Sequence, residues 1–367
     1  MRVLHAPVNV GNQPWVLSRY ERELGLASDL VVNYGTWLGL PADRTLGEYG
    51  KRDWRAVVRR FACGISAPLR YDVLHYYFGR SLLSWDDWAR GWKKPFLDLR
   101  LGRALGRKVF MTLQGCDIRL AAESNRRNEH TPCQEGGCNF FANCVANLDA
   151  QRLALARDVL PLCDKVFFLN PELGHYVGTA EFMPYASVDI HKFDVLPPAA
   201  VGRPRIVHAP SDSALKGTAA ILEALESLRP DFDFDLILVQ NKPYAEALQL
   251  YRSADIAIDQ LMAGWYGGFA VEMMAMGKPT LCYLREADFA HVPSQMIDEL
   301  PLRNIDPNHL RESLADVLAR RSEWQRWSGL SRAFVERWHD PRKLAAAMAR
   351  QYVNAAEPFH RSLEMVS

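Results

Sequence analysis

The chain has 367 residues, of which 49% are apolar, 24% charged and 11% aromatic, and Lys plus Arg exceed Asp plus Glu by 44 to 43, a net charge of +1. That length and composition suit one large or two smaller globular domains and exclude a disordered or fibrous chain, and the balanced charge speaks against a nucleic-acid partner. No stretch of 18 residues lacks a charge, so no transmembrane helix is expected. Met1-Arg2-Val3-Leu4 leads into a polar loop, so no signal peptide is expected. Seven cysteines, an odd number, fit a reducing cytoplasm better than a disulfide framework.

In chain order, an apolar run at 2–7 predicts a strand. A loop with Gly11 follows, then a helix that Pro14 opens and Gly25 ends. A β-type run at 29–34 completes a βαβ pattern, the unit of a parallel sheet. Further strands are predicted at 72–76, 108–113 and 165–169. Leu196-Pro197-Pro198 reads as a rigid boundary. Beyond it come a strand at 205–209, a helix from Gly217-Thr218 with Ile221, Leu222, Leu225 and Leu228 on one face, and a strand at 236–240. A helix at 244–253, a strand at 256–259, a helix at 269–276 and a strand at 280–283 follow. Helices are predicted over 308–337 and 341–356. The fold class is therefore α/β, two doubly wound units in series, with ligands expected at the carboxyl ends of the strands.

The usual anchors of several enzyme classes are missing. There is no G-x-G-x-x-G, no G-x-x-x-x-G-K-[ST], no H-E-x-x-H and no G-x-S-x-G. The D-x-D spacing in Asp231-Phe232-Asp233-Phe234-Asp235 precedes a strand, whereas the functional end is the far one, so it reads as a solvated turn with inward phenylalanines. His130, Cys133, Cys138 and Cys144 offer four soft ligands for a structural metal, but their spacings are not those of a tight zinc knuckle.

Two segments carry chemistry. In the first, residues 208–218, a strand and polar loop lead to Lys216-Gly217 at a helix start, where an ammonium and helix amino terminus can meet a diphosphate. In the second, residues 254–279, a strand ends in Asp259 and a glycine-rich loop enters a helix. Gly267 and Gly268 let bare amides approach a phosphate. Glu272, one turn in, can accept hydrogen bonds from vicinal ribose hydroxyls, or it can complement the helix dipole.

The second segment resembles the signature of the retaining GT-B glycosyltransferases of family 4, also called group 1. The match runs through Ala254-Asp255, Gly268-Phe269 and Glu272-Met273-Met274-Ala275-Met276-Gly277-Lys278-Pro279. The family's phosphate lysine matches Lys216, and Leu113-Gln114-Gly115-Cys116-Asp117 is similar to its strand-end H-G-x-D loop. Phe334 to Pro341 is similar to its carboxyl-terminal stretch. The resemblance implies two Rossmann-like domains facing across a cleft: 1–195 for the acceptor, 196–340 for the nucleotide sugar, and 341–367 as a helix crossing back onto the first domain.

It also implies transfer from a UDP- or GDP-linked sugar to an acceptor hydroxyl, with no further cofactor. Lys216, Glu272 and Asp259 are the expected catalytic group. Gly11, Asn12, Gln114, Asp117, Ser211, Gln240, Gly267, Gly268 and Phe269 are the expected donor contacts. The chain departs from the family at three places. Gly264 stands where the first glutamate would be, so Asp259 is expected to take over its sugar contacts. Ser211 replaces an arginine and Gln114 a histidine. Residues 51–108 carry 14 Lys or Arg and five Asp with no Glu, a local charge of +9, interleaved with Trp54, Trp85, Trp88 and Trp92. That pattern suits either a solvated face with its tryptophans in the core, or peripheral contact with an anionic membrane face and a glycan or lipid-linked acceptor in polysaccharide or glycoconjugate assembly. The competing expectations are a relative that binds sugar nucleotide without transfer, and a sugar-nucleotide epimerase.

Overall fold

The structure, a computed structural model, describes residues 1–35, 39–51, 53–84 and 96–366. The chain divides into two compact units. The first comprises Met1–Leu120, Asn147–Val188 and Pro341–Ser367, the second Ala121–Ala146 and Asp189–Asp340. The uninterrupted first domain expected over 1–195 is thus corrected at 121–146 and 189–195. The His130 carbonyl accepts from Arg285 Nη2 at 2.6 Å, and Glu129 accepts from Asn308 at 3.1 Å. These bonds tie the inserted segment to the second unit.

The first unit holds strands β1 (Arg2–Ala6), β2 (Ala27–Tyr34), β3 (Arg44–Gly47), β4 (Val73–Tyr77), β5 (Lys108–Leu113), β6 (Lys165–Phe168) and β7 (Glu181–Phe182). All pairs are parallel, in the order β3-β2-β1-β4-β5-β6-β7. Sequential strands thus run outward in both directions from the β1–β4 pair. The loops after those two strands therefore diverge and leave a crevice at their carboxyl ends. β4 is buried at every position, as a strand covered on both faces must be. The helices used below are α1 (Gln13–Glu23), α2 (Trp54–Arg70), α3 (Leu97–Ala104) and α4 (Asp149–Asp158). Asp53 caps α2 by accepting from the Arg55 amide at 2.9 Å.

A fully buried polar network fastens the closing helix, Pro341–Val353, to this unit. Tyr352 donates to Glu21 Oε1 at 2.8 Å and pairs with His75 Nδ1 at 2.9 Å. Glu21 Oε2 accepts from Ser28 at 2.6 Å and from His5 Nε2 at 2.8 Å, and His5 Nδ1 meets the Tyr77 hydroxyl at 2.8 Å. His75 Nε2 pairs with Thr112 at 2.7 Å. Burial, reinforced by the neighbouring His5, pushes the His75 pKa well down, so it remains neutral.

The second unit holds β8 (Arg205–His208), β9 (Asp235–Leu238), β10 (Ile256–Ile258), β11 (Thr280–Cys282) and β12 (Arg303–Asn304), parallel and ordered β12-β11-β10-β8-β9. The order reverses between β8 and β10, so the loops that follow them frame its crevice. Its helices include α5 (Thr218–Leu228), α6 (Tyr244–Ser253) and α7 (Gly268–Ala275). Ile221, Leu225 and Leu228 of α5 pack with Ile206, Ile256, Ile258 and Leu281 of the strands. Phe234 is fully buried, while Asp231 pairs with Arg311, and Asp233 and Asp235 with Arg203, as a strand-start turn requires. The helix expected over 308–337 is two helices, Leu310–Ala319 and Trp324–Trp338. Among the described residues no helix is long and apolar enough to cross a membrane.

Tyr352→Phe removes the hydroxyl that serves both Glu21 and His75. Equilibrium unfolding in denaturant is expected to show a loss of about 1–3 kcal/mol, the range for stranding buried polar groups.

Candidate functional site

The phosphate-type loop of the second unit is built on β8. His208 Nδ1 donates to the Ile258 carbonyl at 2.9 Å, so Nε2 accepts from Thr218 Oγ1 at 2.9 Å. Burial lowers the His208 pKa and keeps this neutral tautomer. One ring thereby joins the end of β8, the end of β10 and the start of α5. Asp212 caps the short turn Ser213–Lys216, accepting from Ala214 N and Leu215 N at 3.0 Å each. Gly217 then takes a left-handed φ of 71°, where a Cβ would lie 2.9 Å from Leu261. This turn delivers Lys216 to the crevice.

There Lys216 Nζ meets Asp259 Oδ1 at 2.6 Å, and Asp259 Oδ2 accepts from the Gly267 amide at 2.7 Å. The Asp259 side chain is wholly buried. Both oxygens of Asp259 are thus engaged, and it fixes Lys216 and the glycine loop in place. α7 begins immediately after Gly267, whose backbone is extended, and no side chain caps it. The Gly268 and Phe269 amides remain at an open helix start.

Glu272, one turn into α7, accepts from the Tyr244 hydroxyl at 2.8 Å. Burial raises its carboxyl pKa to about 7, against the lowering effect of that hydrogen bond. Tyr244 was not anticipated from the sequence. It is 57% exposed at the start of α6, and only the fold brings it to α7. Ser211 and Gln240 are exposed, and Gln240 donates to Ser213 at 2.9 Å.

Gly264 has φ 67°, and a Cβ there would lie 2.8 Å from the Cζ of Arg285. The space beside Gly264 is thus filled by a cation. Arg285, itself buried, pairs with Asp288 at 2.9 Å and holds the His130 carbonyl. Sequence reasoning missed Arg285 because it lies 21 residues after Gly264 on another loop.

His130, Cys133, Cys138 and Cys144 do not come together as a metal cluster. Among the described residues no group of three or more His, Cys, Asp or Glu side chains could hold a metal ion. His130 instead stands edge-on to Tyr283, with ring centres 5.5 Å apart.

In the first unit, Gly11 and Asn12 both adopt left-handed backbone at the start of α1. Asn12 Nδ2 donates to the Ser187 carbonyl at 3.3 Å, and Gln114 Nε2 to the Val10 carbonyl at 3.3 Å. Asn9 Oδ1, Asn12 Oδ1 and Gln114 Oε1 are buried acceptors without a partner. Buried acceptors in that state are what a hydroxyl-bearing ligand would satisfy. The Asp117 carboxylate accepts from Gly115 N at 2.6 Å and Gln114 N at 3.0 Å, closing the loop after β5. Burial raises its pKa against those hydrogen bonds.

No family model and no curated protein matches the chain. Solved structures do. Sucrose-phosphate synthase from Thermosynechococcus elongatus is similar at TM-score 0.60 and 14% identity, over 97% of this chain and 100% of that one. WaaG, a glycosyltransferase involved in lipopolysaccharide biosynthesis, is similar at 0.54 and 12%, over 94% and 98%. UDP-GlcNAc 2-epimerase from Neisseria meningitidis, solved bound to UDP-GlcNAc, is similar at 0.53 and 9%, over 96% and 100%. At these identities the likeness is one of fold, and the fold is the α/β GT-B fold.

Gly264→Ala places a Cβ against Arg285 at a left-handed backbone position. It is expected to cost about 1–3 kcal/mol in equilibrium unfolding. Hydrogen exchange at residues 128–133 should quicken with it as the Arg285 tether loosens.

Proposed function

We propose that the chain is a glycosyltransferase that moves a sugar from a nucleoside diphosphate sugar to an acceptor hydroxyl. The observation that carries this reading is the convergence, at the β8–β10 reversal, of Lys216, the open start of α7 and the Glu272 carboxyl. In the transfer, the bond from the anomeric carbon to the diphosphate oxygen breaks and a bond to the acceptor oxygen forms. The acceptor hydroxyl loses its proton, and the nucleoside diphosphate leaves with the bonding pair. Negative charge grows on the departing diphosphate. Lys216 and the Gly268 and Phe269 amides are placed to meet that charge, in positions set before the reaction by Asp259. Glu272 holds the ribose hydroxyls, with Tyr244 beside it. The resemblance of the signature favours retention of anomeric configuration, and the charge-stabilising role assigned to Lys216 and the helix start does not call on a metal ion.

The acceptor belongs to the first unit, where Asn12 and Gln114 offer free acceptor oxygens. A glycan or lipid-linked acceptor and contact with an anionic membrane face, consistent with a cytoplasmic enzyme of glycoconjugate assembly, draw support from α2. That helix exposes Trp54, Val58 and Leu69 along with Arg55 and Arg59. The remaining tryptophans of that argument, Trp85, Trp88 and Trp92, lie outside the described residues. The fold likeness to a 2-epimerase supports a second reading, rearrangement of the sugar nucleotide itself. Product analysis with UDP- and GDP-sugars separates the readings: a new glycoside with free nucleoside diphosphate marks transfer, and an isomeric sugar nucleotide marks epimerisation. Binding with neither product would identify a non-transferring relative.

Lys216→Ala should abolish transfer and UDP- or GDP-induced thermal stabilisation. It also strands the buried Asp259 carboxylate, a cost of about 3–5 kcal/mol. Lys216→Ala with Asp259→Asn keeps an acceptor for the Gly267 amide, so it should recover most of the stability without recovering transfer. Recovered transfer in the double variant would remove Lys216 from the mechanism.

The pH dependence has a defined sign. With a carboxyl pKa of about 7, Glu272 is protonated below neutrality and becomes a full acceptor for ribose hydroxyls above it. Nucleotide affinity measured by calorimetry should therefore rise as pH passes through 7. Glu272→Gln should remove that component of the profile. Tyr244→Phe, which deletes a hydrogen bond to the ionised form, should move the midpoint upward.

A further inference from the structure

A cavity of about 350 Å³ opens in the first unit, beyond the loop after β4 and beside α3 and α4. Its wall is mainly apolar, with Phe78, Phe96, Leu155 and Val159 among the lining residues. Its charged groups divide into those already committed and those that are not. Asp117 is spent on the Gln114 and Gly115 amides. Asp158 is held by both arms of Arg157, at 2.7 Å each. Arg152 donates to Asp149 at 2.8 Å and to the Cys116 carbonyl at 2.8 Å. That leaves Arg80, half-buried, and Arg100, exposed. Among the described residues neither guanidinium is within hydrogen-bond or ion-pair distance of a carboxylate, although Arg100 is near enough to Asp158 to help hold its carboxyl pKa down. Two guanidinium groups with no direct carboxylate bond among the described residues, set beside an apolar wall, complement a molecule with an anionic head and an apolar body.

We propose that this cavity seats a phosphorylated amphiphile, with its phosphate on Arg80 and Arg100 and its apolar body against Phe96 and Leu155. Phosphate is favoured over a single neutral head because two planar donor forks can share three or more acceptor oxygens. Giving this molecule the part of acceptor, or of the acceptor's carrier, rests on the transferase reading. The binding itself does not.

Cys116, an exposed thiol in the cavity lining, reports on occupancy. The full chain is alkylated with iodoacetamide, and the rate at Cys116 is followed by peptide mass spectrometry. Three probes are compared at equal concentration below any micellar limit: octyl phosphate, octyl glucoside and inorganic phosphate. Octyl phosphate is expected to slow Cys116 modification several-fold, and the other two much less. Arg80→Gln with Arg100→Gln should weaken that protection on the order of ten-fold, the worth of charge-assisted hydrogen bonds, while UDP-induced thermal stabilisation remains at the wild-type level. No protection by octyl phosphate, equal protection by octyl glucoside, or equal protection by inorganic phosphate overturns the proposal. Protection by octyl phosphate in a protein that transfers no sugar leaves the cavity assignment standing and overturns the transferase reading instead.

Discussion

One buried carboxylate organises the second unit's site. Asp259 sits where the strand order reverses, at the end of β10, with no exposure to solvent. A charge in that position is tolerated only if it is paired and hydrogen-bonded. The two groups that satisfy it are Lys216, delivered by the loop after β8, and the Gly267 amide, at the entry to α7. The cost of burying Asp259 therefore enforces the proximity of the two elements best suited to an anion. A lysine on a free loop would lose side-chain entropy each time it met a ligand. Here much of that loss is already taken in the folded site. The same pairing removes part of the lysine's charge. The open helix start of α7 thus becomes a larger share of the total attraction for a diphosphate.

The first unit uses buried acids in the same way, to shape backbone. Glu21 takes three hydrogen bonds from Ser28, His5 and Tyr352. Asp117 closes the loop after β5, and Glu172 receives Arg119 at 2.8 Å and Tyr176 at 3.0 Å. In each case the acid is out of solvent and its oxygens are assigned. Among the described residues, the amides of Asn9, Asn12, Asn33 and Gln114 still carry unassigned acceptor oxygens. A neutral amide oxygen left unpaired costs less than an unpaired carboxylate. Amides are therefore the groups that can wait for a ligand without destabilising the empty protein.

The parts of this design that lie close together along the chain were legible in it. The Lys216 loop and the run from Asp255 to Pro279 each carry their logic within about 25 residues, the scale of one βα unit. Strand and helix alternation points to both parallel sheets, but not to β3, β7 and β12, which have four, two and two residues and too little period to detect. What stayed hidden was long-range. Tyr352 and Glu21 are 331 residues apart, and nothing local marks either as a partner. Arg285 occupies the room that a side chain at position 264 would need, and nothing near Gly264 in the chain marks it. The cysteines between 133 and 144 looked like ligands because of composition. The fold uses their segment as a tethered flap of backbone, joined through the carbonyl of His130. Asp259 was identified as important, but its burial, and hence its role, could come only from the packed sheet.

The concentration of positive charge in residues 51–108 has a physical source that composition does not reveal. Its acids are largely consumed by the backbone. Asp53 caps α2, Asp72 accepts from the Arg2 amide at 2.8 Å, and Asp98, fully buried, accepts from Ser81 at 2.6 Å and the Leu82 amide at 2.9 Å. Burial raises the pKa of Asp98 against those bonds, which weakens it further as a counter-ion. Asp53 and Asp72 still pair with Arg59 and Arg107, at 3.3 and 3.8 Å, whereas Asp98 is given to the turn. Arg80 stands just before the turn that Asp98 pins, and Arg100 two residues beyond Asp98 on α3. The acid that fixes the cavity's entry loop is thereby withheld from both of the cations on its rim. A surface patch of arginines can be discharged by salt, but two guanidinium groups beside an apolar wall keep a preference for a multivalent anion.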